Sequence, residues 1–195
     1  MSSPLSHIDP AAGRCVLRTP RLIVRVARRG DEDAIAAHYR ADQAHLKEFS
    51  WSTPAMLDPS FWREWIEQTH IEFDAGRACR TFLYELDDRT VVGSANMTNI
   101  IRGPFHACYL GYSIARTHEG KGLMFEALQA LLRFAFDDLK LHRIMANYMP
   151  RNRRSGALLE RLGFVIEGTA KDYLRINDVW EDHVMTSLTN DSWTC

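Results

Sequence analysis

The sequence predicts an α+β domain built around a mixed sheet, and three features of the chain support this prediction. Segments of β-rich composition alternate along the chain with segments of helical period. The segments Cys79–Leu86, Val91–Asn99 and Phe105–Ile114 follow one another as an antiparallel meander. One crossover helix then leads to a further strand, Arg143–Tyr148, so helices and strands are expected to share one layered domain.

Length and composition favour a single domain. The chain has 195 residues, of which 46% are hydrophobic, and this is enough for one full core. We expect a loose, flexible N-terminal arm over residues 1–13 and one domain over residues 14–195. The formal net charge of −1 gives no general attraction to DNA or to an anionic membrane. No segment approaches the ~18 uninterrupted apolar residues of a membrane span.

The cysteines and histidines do not form the patterns of a metal site. The four cysteines are scattered without a C-x-x-C pair, and the eight histidines contain no H-x-x-x-H pair. The N-terminus also lacks the apolar core of a signal peptide. These features are typical of a reduced cytoplasmic protein, and they predict no metal centre and no disulfide scaffold.

The first predicted strand lies within an arginine-rich stretch, and helices are expected after it. Arg14–Arg29 holds six arginines around Leu22–Val26, which has the composition of a strand. Two interpretations of these arginines are possible. They could form a basic surface that binds RNA or a cofactor phosphate, or they could occupy the solvent-exposed face of a strand with alternating residues. Asp31 then offers a helix N-cap, and helices are expected to reach about Arg40 and to cover Gln43–Glu48.

The helix Pro59–Asp74 has the clearest boundaries. Asp58 is a favoured N-cap, proline suits the first helical position, and Gly76 suits the residue after the helix. Its aromatic side chains fit either the wall of an acceptor site, together with the loop Phe49–Pro54, or a face packed on the sheet.

In the C-terminal part of the chain, short helices and strands are predicted in turn. The crossover helix should end near Leu139. The elements expected after the strand Arg143–Tyr148 are a helix over Gly156–Leu162, a strand over Phe164–Gly168, a loop over Thr169–Asn177 and a last strand around His183–Leu188.

A glycine-containing loop joins the meander to the crossover helix. Gly120 and Gly122 allow backbone conformations and close approaches that other residues do not. A helix N-terminus offers unpaired N–H groups and a partial positive charge, which suit a phosphate. We therefore expect a phosphate-bearing cofactor at Thr117–Met124. The nucleotide motifs G-x-x-x-x-G-K-[ST] and G-x-G-x-x-G both fail at this position.

The segment Gly120-Lys121-Gly122 resembles the acyl-CoA pyrophosphate loop of the GCN5-related N-acetyltransferases (GNAT), although Thr117 stands where that family usually has Arg or Gln. Asn152 and Ser155 follow the next strand, as in that family. The resemblance implies the GNAT fold, a central, mixed, mostly antiparallel twisted sheet flanked by helices, with acetyl-CoA as cofactor. The cofactor-binding residues that it implies are Tyr112, Ser113, Ile114, Thr117, His118, Glu119, Gly120, Lys121, Gly122, Leu123, Met124 and Asn152.

Longer runs resemble the Rim branch of bacterial ribosomal-protein-alanine N-acetyltransferases, over about Arg18 to Thr194. The runs are Gly103–Ile114, Gly120–Leu128, His142–Pro150 and Lys171–Leu174. The resemblance implies direct transfer of acetyl to the N-terminal alanine α-amine of a ribosomal protein, free or in a ribosome or assembly intermediate.

The chemistry of that reaction is compatible with this sequence. An α-amine has a pKa of about 7.7–8.0 against about 10.4 for lysine, so a modest base and good positioning are sufficient. The implied catalytic residues are Asn152, which contacts the pantetheine, Ser155, which assists the departing thiolate, and Asp172 as base, with Glu119 and Glu167 in reserve. Backbone N–H groups near Ile114 would meet the oxyanion.

Two other functions remain open from the sequence. A small-molecule amine N-acetyltransferase would have the same fold and cofactor and a different acceptor wall. A ribosome-assembly or RNA-binding factor would use the arginines of Arg14–Arg29. The sequence does not distinguish a monomer from a homodimer.

Overall fold

The computed structural model describes residues 6–9 and 14–194 of the chain. Within these residues nine strands form a single sheet that carries helices on both faces. The strands are β1 (Ser6–Asp9), β2 (Arg14–Arg18), β3 (Ile23–Arg25), β4 (Cys79–Tyr84), β5 (Val91–Ile101), β6 (Ala107–Ile114), β7 (Arg143–Met145), β8 (Val165–Ile176) and β9 (Val179–Thr189). The α-helices are α1 (Glu32–Ala41), α2 (Gln43–Phe49), α3 (Pro59–Asp74), α4 (Leu123–Arg133) and α5 (Arg153–Arg161).

The strand order confirms the mixed, mostly antiparallel sheet. The order is β1-β2-β3-β4-β5-β6-β7-β9-β8, and β6 with β7 is the parallel pair among the described strands. A parallel pair needs a crossover between its strands, and α4 provides it. The predicted meander is therefore β4-β5-β6, and the predicted crossover helix is α4.

Two hydrophobic cores lie on opposite faces of the sheet. One core contains Leu128 and Leu131 of α4 and Leu159 of α5, and we call this side the α4 face. The other core contains Ile35 of α1 and Trp62 of α3, and we call this side the α1 face. The aromatic helix α3 thus buries Trp62 against the sheet, as the packing interpretation predicted.

Several predicted boundaries are confirmed. Helix α3 spans Pro59–Asp74, and the Asp58 carboxylate accepts a 2.8 Å hydrogen bond from the Ser60 N–H. The helix predicted to end near Leu139 is α4 followed by one π-helical turn, Phe134–Asp138. No helix among the described residues is long and apolar enough to cross a membrane.

The loop predicted over Thr169–Asn177 is wrong. Strand β8 continues to Ile176, and a tight turn at Asn177 and Asp178, with φ of 49° and 70°, leads into β9. Because β8 is an edge strand whose side chains are mostly exposed, its polar sequence lacks the apolar alternation that identifies a half-buried strand. Two register shifts, at Ile166/Gly168 and Ala170/Leu174, disturb the alternation further.

The loose arm predicted over residues 1–13 is also wrong for Ser6–Asp9, which forms β1 and pairs with β2. Residues 1–5 and 10–13 lie outside the described residues. Pairing of β1 depends on backbone hydrogen bonds to its neighbour, and a four-residue strand carries no detectable pattern.

Arg25 forms a buried ion-pair network that neither interpretation of the arginines anticipated. The residue is 1% exposed, and its guanidinium lies 2.6 Å from carboxylate oxygens of both Asp31 and Asp88. Asp31 stands at the predicted N-cap of α1, but its side chain does not cap the helix. It accepts instead from Arg25, from the Arg28 N–H and from the Tyr84 hydroxyl.

The pKa of Asp31 reflects these contacts. Burial raises it, but the hydrogen bonds from Arg25, the Arg28 N–H and Tyr84 outweigh burial, and the pKa is lowered overall. The carboxylate therefore stabilises the fold fully above the ordinary aspartate pKa of about 4, and this contribution is lost as pH falls through the folded-state value.

Asp31→Asn should lower the free energy of unfolding at pH 7 by about 1.5–3 kcal/mol, because the buried Arg25 loses one of its two carboxylate partners and keeps Asp88. The difference from wild type should shrink below about pH 4. Denaturant titrations at several pH values measure both effects. Glu67→Gln is the control, since its pair with Arg29 is exposed and should change stability by less than about 1 kcal/mol. A pH-independent difference would contradict this account.

Candidate active site

A cleft opens where β6 and β7 part. The two strands pair only from Ala107 with Arg143 to Tyr109 with Met145. Beyond Met145 the chain stays with β9, where the Tyr148 N–H donates to the Val184 carbonyl at 3.2 Å. The strand predicted over Arg143–Tyr148 is thus a three-residue strand and an isolated bridge.

The end of β6 turns backbone groups toward this cleft. The Ala115 N–H donates to the Val92 carbonyl of β5 at 2.8 Å. Because successive residues of a strand point their N–H groups in opposite directions, those of Gly111 and Ser113 also face β5. Those of Tyr112 and Ile114 face the cleft, where they can donate to a ligand.

The glycine loop ends at the N-terminus of α4. Gly120 and Gly122 have φ of 71° and 74°, in the left-handed region that favours glycine. The first turn of α4 leaves the N–H groups of Leu123 and Met124 without partners inside the helix. Both side chains are buried, so these two residues present only their backbone. The loop and helix end suit an anion, as predicted.

Contacts from α2 and from the segment before β3 fix this loop. The Asp42 carboxylate accepts from the Arg116 N–H at 2.6 Å, and His45 Nε2 lies 3.3 Å from the Glu119 carboxylate. The Arg21 guanidinium donates to the Lys121 carbonyl at 2.9 Å. Sequence reasoning missed Asp42, His45 and Arg21, because their distance along the chain hides these contacts.

The polar side chains of the loop bind their neighbours. His118 Nδ1 is 3.0 Å from the Thr117 hydroxyl, and its Nε2 is 3.2 Å from a Glu85 carboxylate oxygen. Glu119 pairs with Arg154 of α5 as well as with His45. The side chains of Thr117, His118 and Glu119 thus hold the loop in shape, whereas its glycines shape the backbone.

The start of α5 meets β6 across the cleft. Asn152 accepts a 3.1 Å hydrogen bond from the Ser155 N–H and caps the helix. The Ser155 hydroxyl lies 2.7 Å from the Tyr112 hydroxyl. Burial raises the pKa of Tyr112 to about 12, although the hydrogen bond to Ser155 lowers it, so the phenol stays protonated. The structure therefore brings Tyr112, Asn152 and Ser155 together.

Ser113 and Ile114 are separated from that group. The Ser113 hydroxyl lies 3.1 Å from the Ser94 hydroxyl, between β5 and β6, and Ile114 packs against the core of the α4 face. Ile114 can serve the cleft only through its backbone, and Ser113 does not point its side chain there.

Asp172 lies at the second register shift of β8, with φ of 46°. Its side chain is exposed, and its N–H donates to the Asp182 carboxylate at 3.1 Å. Within the described part of the chain, no hydrogen bond joins its carboxylate to Ser155 or Asn152. The reserve base Glu167 accepts from Arg143 and from the Ser187 hydroxyl, and these contacts lower its pKa.

A basic groove adjoins the glycine loop, and sequence reasoning missed it. It has a volume of about 500 Å³, and the Arg161 guanidinium lies 3.9 Å from the centre of the Phe125 ring on its wall. Its lining residues are Thr19, Pro20, Arg21, Lys121, Gly122, Phe125, Glu126, Gln129, Arg133 and Arg161. Over residues 6–9 and 14–194, no group of His, Cys, Asp and Glu is placed to hold a metal ion.

Comparison with known proteins identifies relatives over almost the whole chain. The family model of the acetyltransferase (GNAT) domain matches residues 21–165. The [ribosomal protein uS5]-alanine N-acetyltransferase of Escherichia coli is 45% identical over 179 residues, which cover 91% of this chain and 92% of that protein.

Two solved structures are also similar. The ribosomal-protein-S5-alanine acetyltransferase from Vibrio fischeri has a TM-score of 0.88 and 34% identity, and the match covers 92% of this chain and 99% of that one. Mycobacterium smegmatis RimJ, in complex with CoA-disulfide, has a TM-score of 0.82 and 28% identity, and the match covers 89% of this chain and 84% of that one.

Proposed function

This chain belongs to the GNAT acetyltransferase family, and from that premise we propose that it acetylates the N-terminal alanine of a ribosomal protein. It is an N-acetyltransferase that uses acetyl-CoA. The observation that carries the acceptor is the 45% identity to the Escherichia coli enzyme, which extends over 91% of this chain. A ribosomal-protein acceptor, free or within an assembling ribosome, also assigns the reaction to the cytoplasm.

The residues of the cleft and of the adjoining groove fit acetyl-CoA. The left-handed Gly120 and Gly122 and the first turn of α4 suit its pyrophosphate. Arg161 and Phe125 in the adjoining groove suit a phosphate and an adenine ring, respectively. The N–H groups of Tyr112 and Ile114 suit polar groups of the pantetheine arm and of the acetyl carbonyl. When bound, acetyl-CoA supplies an acetyl group activated as a thioester.

Ser155 is assigned to the sulfur side of the site. Asn152 fixes the start of α5, and Tyr112 holds the Ser155 hydroxyl at 2.7 Å. A serine hydroxyl is a weak acid, so it donates a hydrogen bond to the developing thiolate rather than transferring its proton outright. Tyr112, with its raised pKa, keeps its own proton and supports that hydroxyl.

Asp172 is assigned to proton removal from the acceptor amine. An α-amine with a pKa near 8 is already partly neutral at cytoplasmic pH, so an exposed carboxylate acting through water is sufficient. Asp172 directly precedes Tyr173, whose hydroxyl lies 3.3 Å from the side-chain nitrogen of Asn147, close to the point where β6 and β7 part.

The arginine-rich stretch gives little support to an RNA-binding function. Arg25 is buried between Asp31 and Asp88, and Arg21 pairs with Glu126. Arg29 pairs with Glu67. Arginines engaged within the chain are poorly available to phosphates, so acetyl transfer accounts for more of the structure than an assembly role does.

The acceptor is tested by thiol release from acetyl-CoA with a peptide that begins with alanine. We expect release with the free peptide and none when its N-terminus is already acetylated, with the new acetyl group located on the α-amine by mass spectrometry. A peptide with a blocked N-terminus and an internal lysine controls for side-chain transfer. Release with a panel of small amines, but not with the free peptide, would contradict the proposal.

Ser155→Ala and Asp172→Asn test the two catalytic assignments. We expect each to lower kcat with the alanine peptide by about 10- to 100-fold, the equivalent of one hydrogen bond to a charged group, at nearly unchanged KM for acetyl-CoA. For Asp172→Asn, the activity should recover in part as pH rises past the pKa of the free amine, since the amine then no longer has to be deprotonated before it attacks, and water or hydroxide can take the proton that the nitrogen loses afterwards.

Ser94→Ala and Asp178→Asn serve as matched controls. Ser94 carries a buried hydroxyl on β5, and Asp178 is an exposed carboxylate at the turn of the same hairpin as Asp172. Both should retain wild-type kinetics. Equal losses in the control and test variants would show that the effect is structural.

A further inference from the structure

A polar cluster lies on the α1 face of the sheet, opposite Ser155. Its members are Tyr109, Asn147, Tyr173 and His183, and we call it the vertex cluster. Cys108 and Leu110, the neighbours of Tyr109, belong to the core on the α4 face, so Tyr109 points to the α1 face. Asn147 follows the same rule, because its neighbours Ala146 and Tyr148 pack on the α4 side.

The vertex cluster is rigidly held. The side-chain nitrogen of Asn147 donates to the Tyr173 hydroxyl at 3.3 Å, and its side-chain oxygen accepts from the Thr186 N–H at 3.2 Å. Burial raises the pKa of Tyr173, and the neighbouring Tyr109 hydroxyl raises it further, so the two phenols lie close together. The Tyr173 ring packs on His183, with 5.4 Å between ring centres, and His183 Nδ1 lies 3.0 Å from the Glu181 carbonyl.

The vertex cluster lies where β6 and β7 separate. Tyr109 and Met145 form the last pair of these strands, and Asn147 is the first residue beyond it that points to the α1 face. Gly111 is next to Tyr109 on the same face, and a Cβ atom placed there would meet nothing within 4 Å. Open space therefore lies beside Tyr109 on the α1 face.

The two sides of the cleft carry different groups. The glycine loop, Ser155 and the Tyr112 hydroxyl lie on the α4 face, on which α4 and α5 pack. On the opposite face, helices α1 and α3 pack over β5 and β4. An acceptor that enters the cleft from the α1 face, opposite the cofactor, therefore meets the vertex cluster.

Resting on the function proposed above, we propose that Tyr109 and Tyr173 form the subsite for the acceptor's α-amine, with Asn147 and His183 as positioning residues. The hydroxyl oxygens accept hydrogen bonds from the amine and direct its lone pair into the cleft. Asp172, assigned above as the base, directly precedes Tyr173 in β8 and takes up the proton that the amine nitrogen loses as it bonds to the acetyl carbon. At cytoplasmic pH an α-amine, with a pKa near 8, is neutral in a larger fraction than a lysine side chain, with a pKa near 10.4, and only the neutral form has a free lone pair for this bond.

The test uses Tyr173→Phe and Tyr109→Phe in the full chain. Each variant removes one hydroxyl and keeps the ring, including the packing of Tyr173 on His183. We expect kcat/KM for the alanine peptide to fall about 3- to 10-fold in each, as for the loss of one hydrogen bond, while KM and Kd for acetyl-CoA stay unchanged. Because the two hydroxyls would contact the same amine, the double variant should lose less than the product of the single losses.

Tyr39→Phe is the matched control. Tyr39 belongs to the same face of the sheet but lies in α1, where the ring that carries its hydroxyl stacks on Trp62. Removing that hydroxyl should leave the peptide kinetics unchanged, and melting temperatures of all variants exclude loss of folded protein.

Three outcomes would overturn the subsite. The first is wild-type peptide kinetics in both test variants. The second is a loss that appears in KM for acetyl-CoA instead of the peptide, and the third is an equal loss in Tyr39→Phe. Failure of the proposed function is distinguishable from these outcomes, because the wild-type enzyme itself would then be inactive with the peptide.

Discussion

The parting of β6 from β7 is the constraint on which the site depends. Parallel pairing lasts for three residue pairs, because the chain after Met145 follows β9 instead. None of the other described strands pairs with the backbone N–H groups of Tyr112 and Ile114, which lie beyond that point and face the cleft. An N–H group that leaves water without gaining a partner is costly. We propose that acceptor atoms of the cofactor complete the sheet there.

The same parting gives the cleft two different sides. On the α4 face, the left-handed glycines, the first turn of α4 and the Tyr112–Ser155 hydroxyl pair suit an anionic thioester. On the α1 face, the tyrosine pair of the vertex cluster suits an amine. Helix α2 contacts both the glycine loop and the β8–β9 hairpin. Asp42, just before the helix, and His45 within it contact the loop. At the β8–β9 turn, Asn177 donates to the Lys47 carbonyl of α2.

The sequence alone predicted what local patterns can encode. The meander, the crossover helix and the start of α3 follow from alternation, helical period and the Asp58-Pro59 signal, and Asn152 with Ser155 from a spacing that matches a known family. Long-range contacts could not be predicted, because no local pattern indicates the buried pairing of Arg25 with Asp88 or the hydrogen bond from Arg21 to the Lys121 carbonyl. The edge strand β8 was missed because most of its side chains are exposed to solvent, so its sequence does not alternate between apolar and polar residues.

Amide hydrogen exchange at the end of β6, followed by NMR with and without CoA, shows whether the cofactor binds to this strand. CoA should slow exchange at Tyr112 and Ile114, whose N–H groups face the cleft. Little change is expected at Gly111 and Ser113, whose N–H groups face β5. Uniform protection along the four residues, or protection at Gly111 and Ser113 alone, would contradict the claim that the parted strand binds the cofactor through its alternate backbone groups.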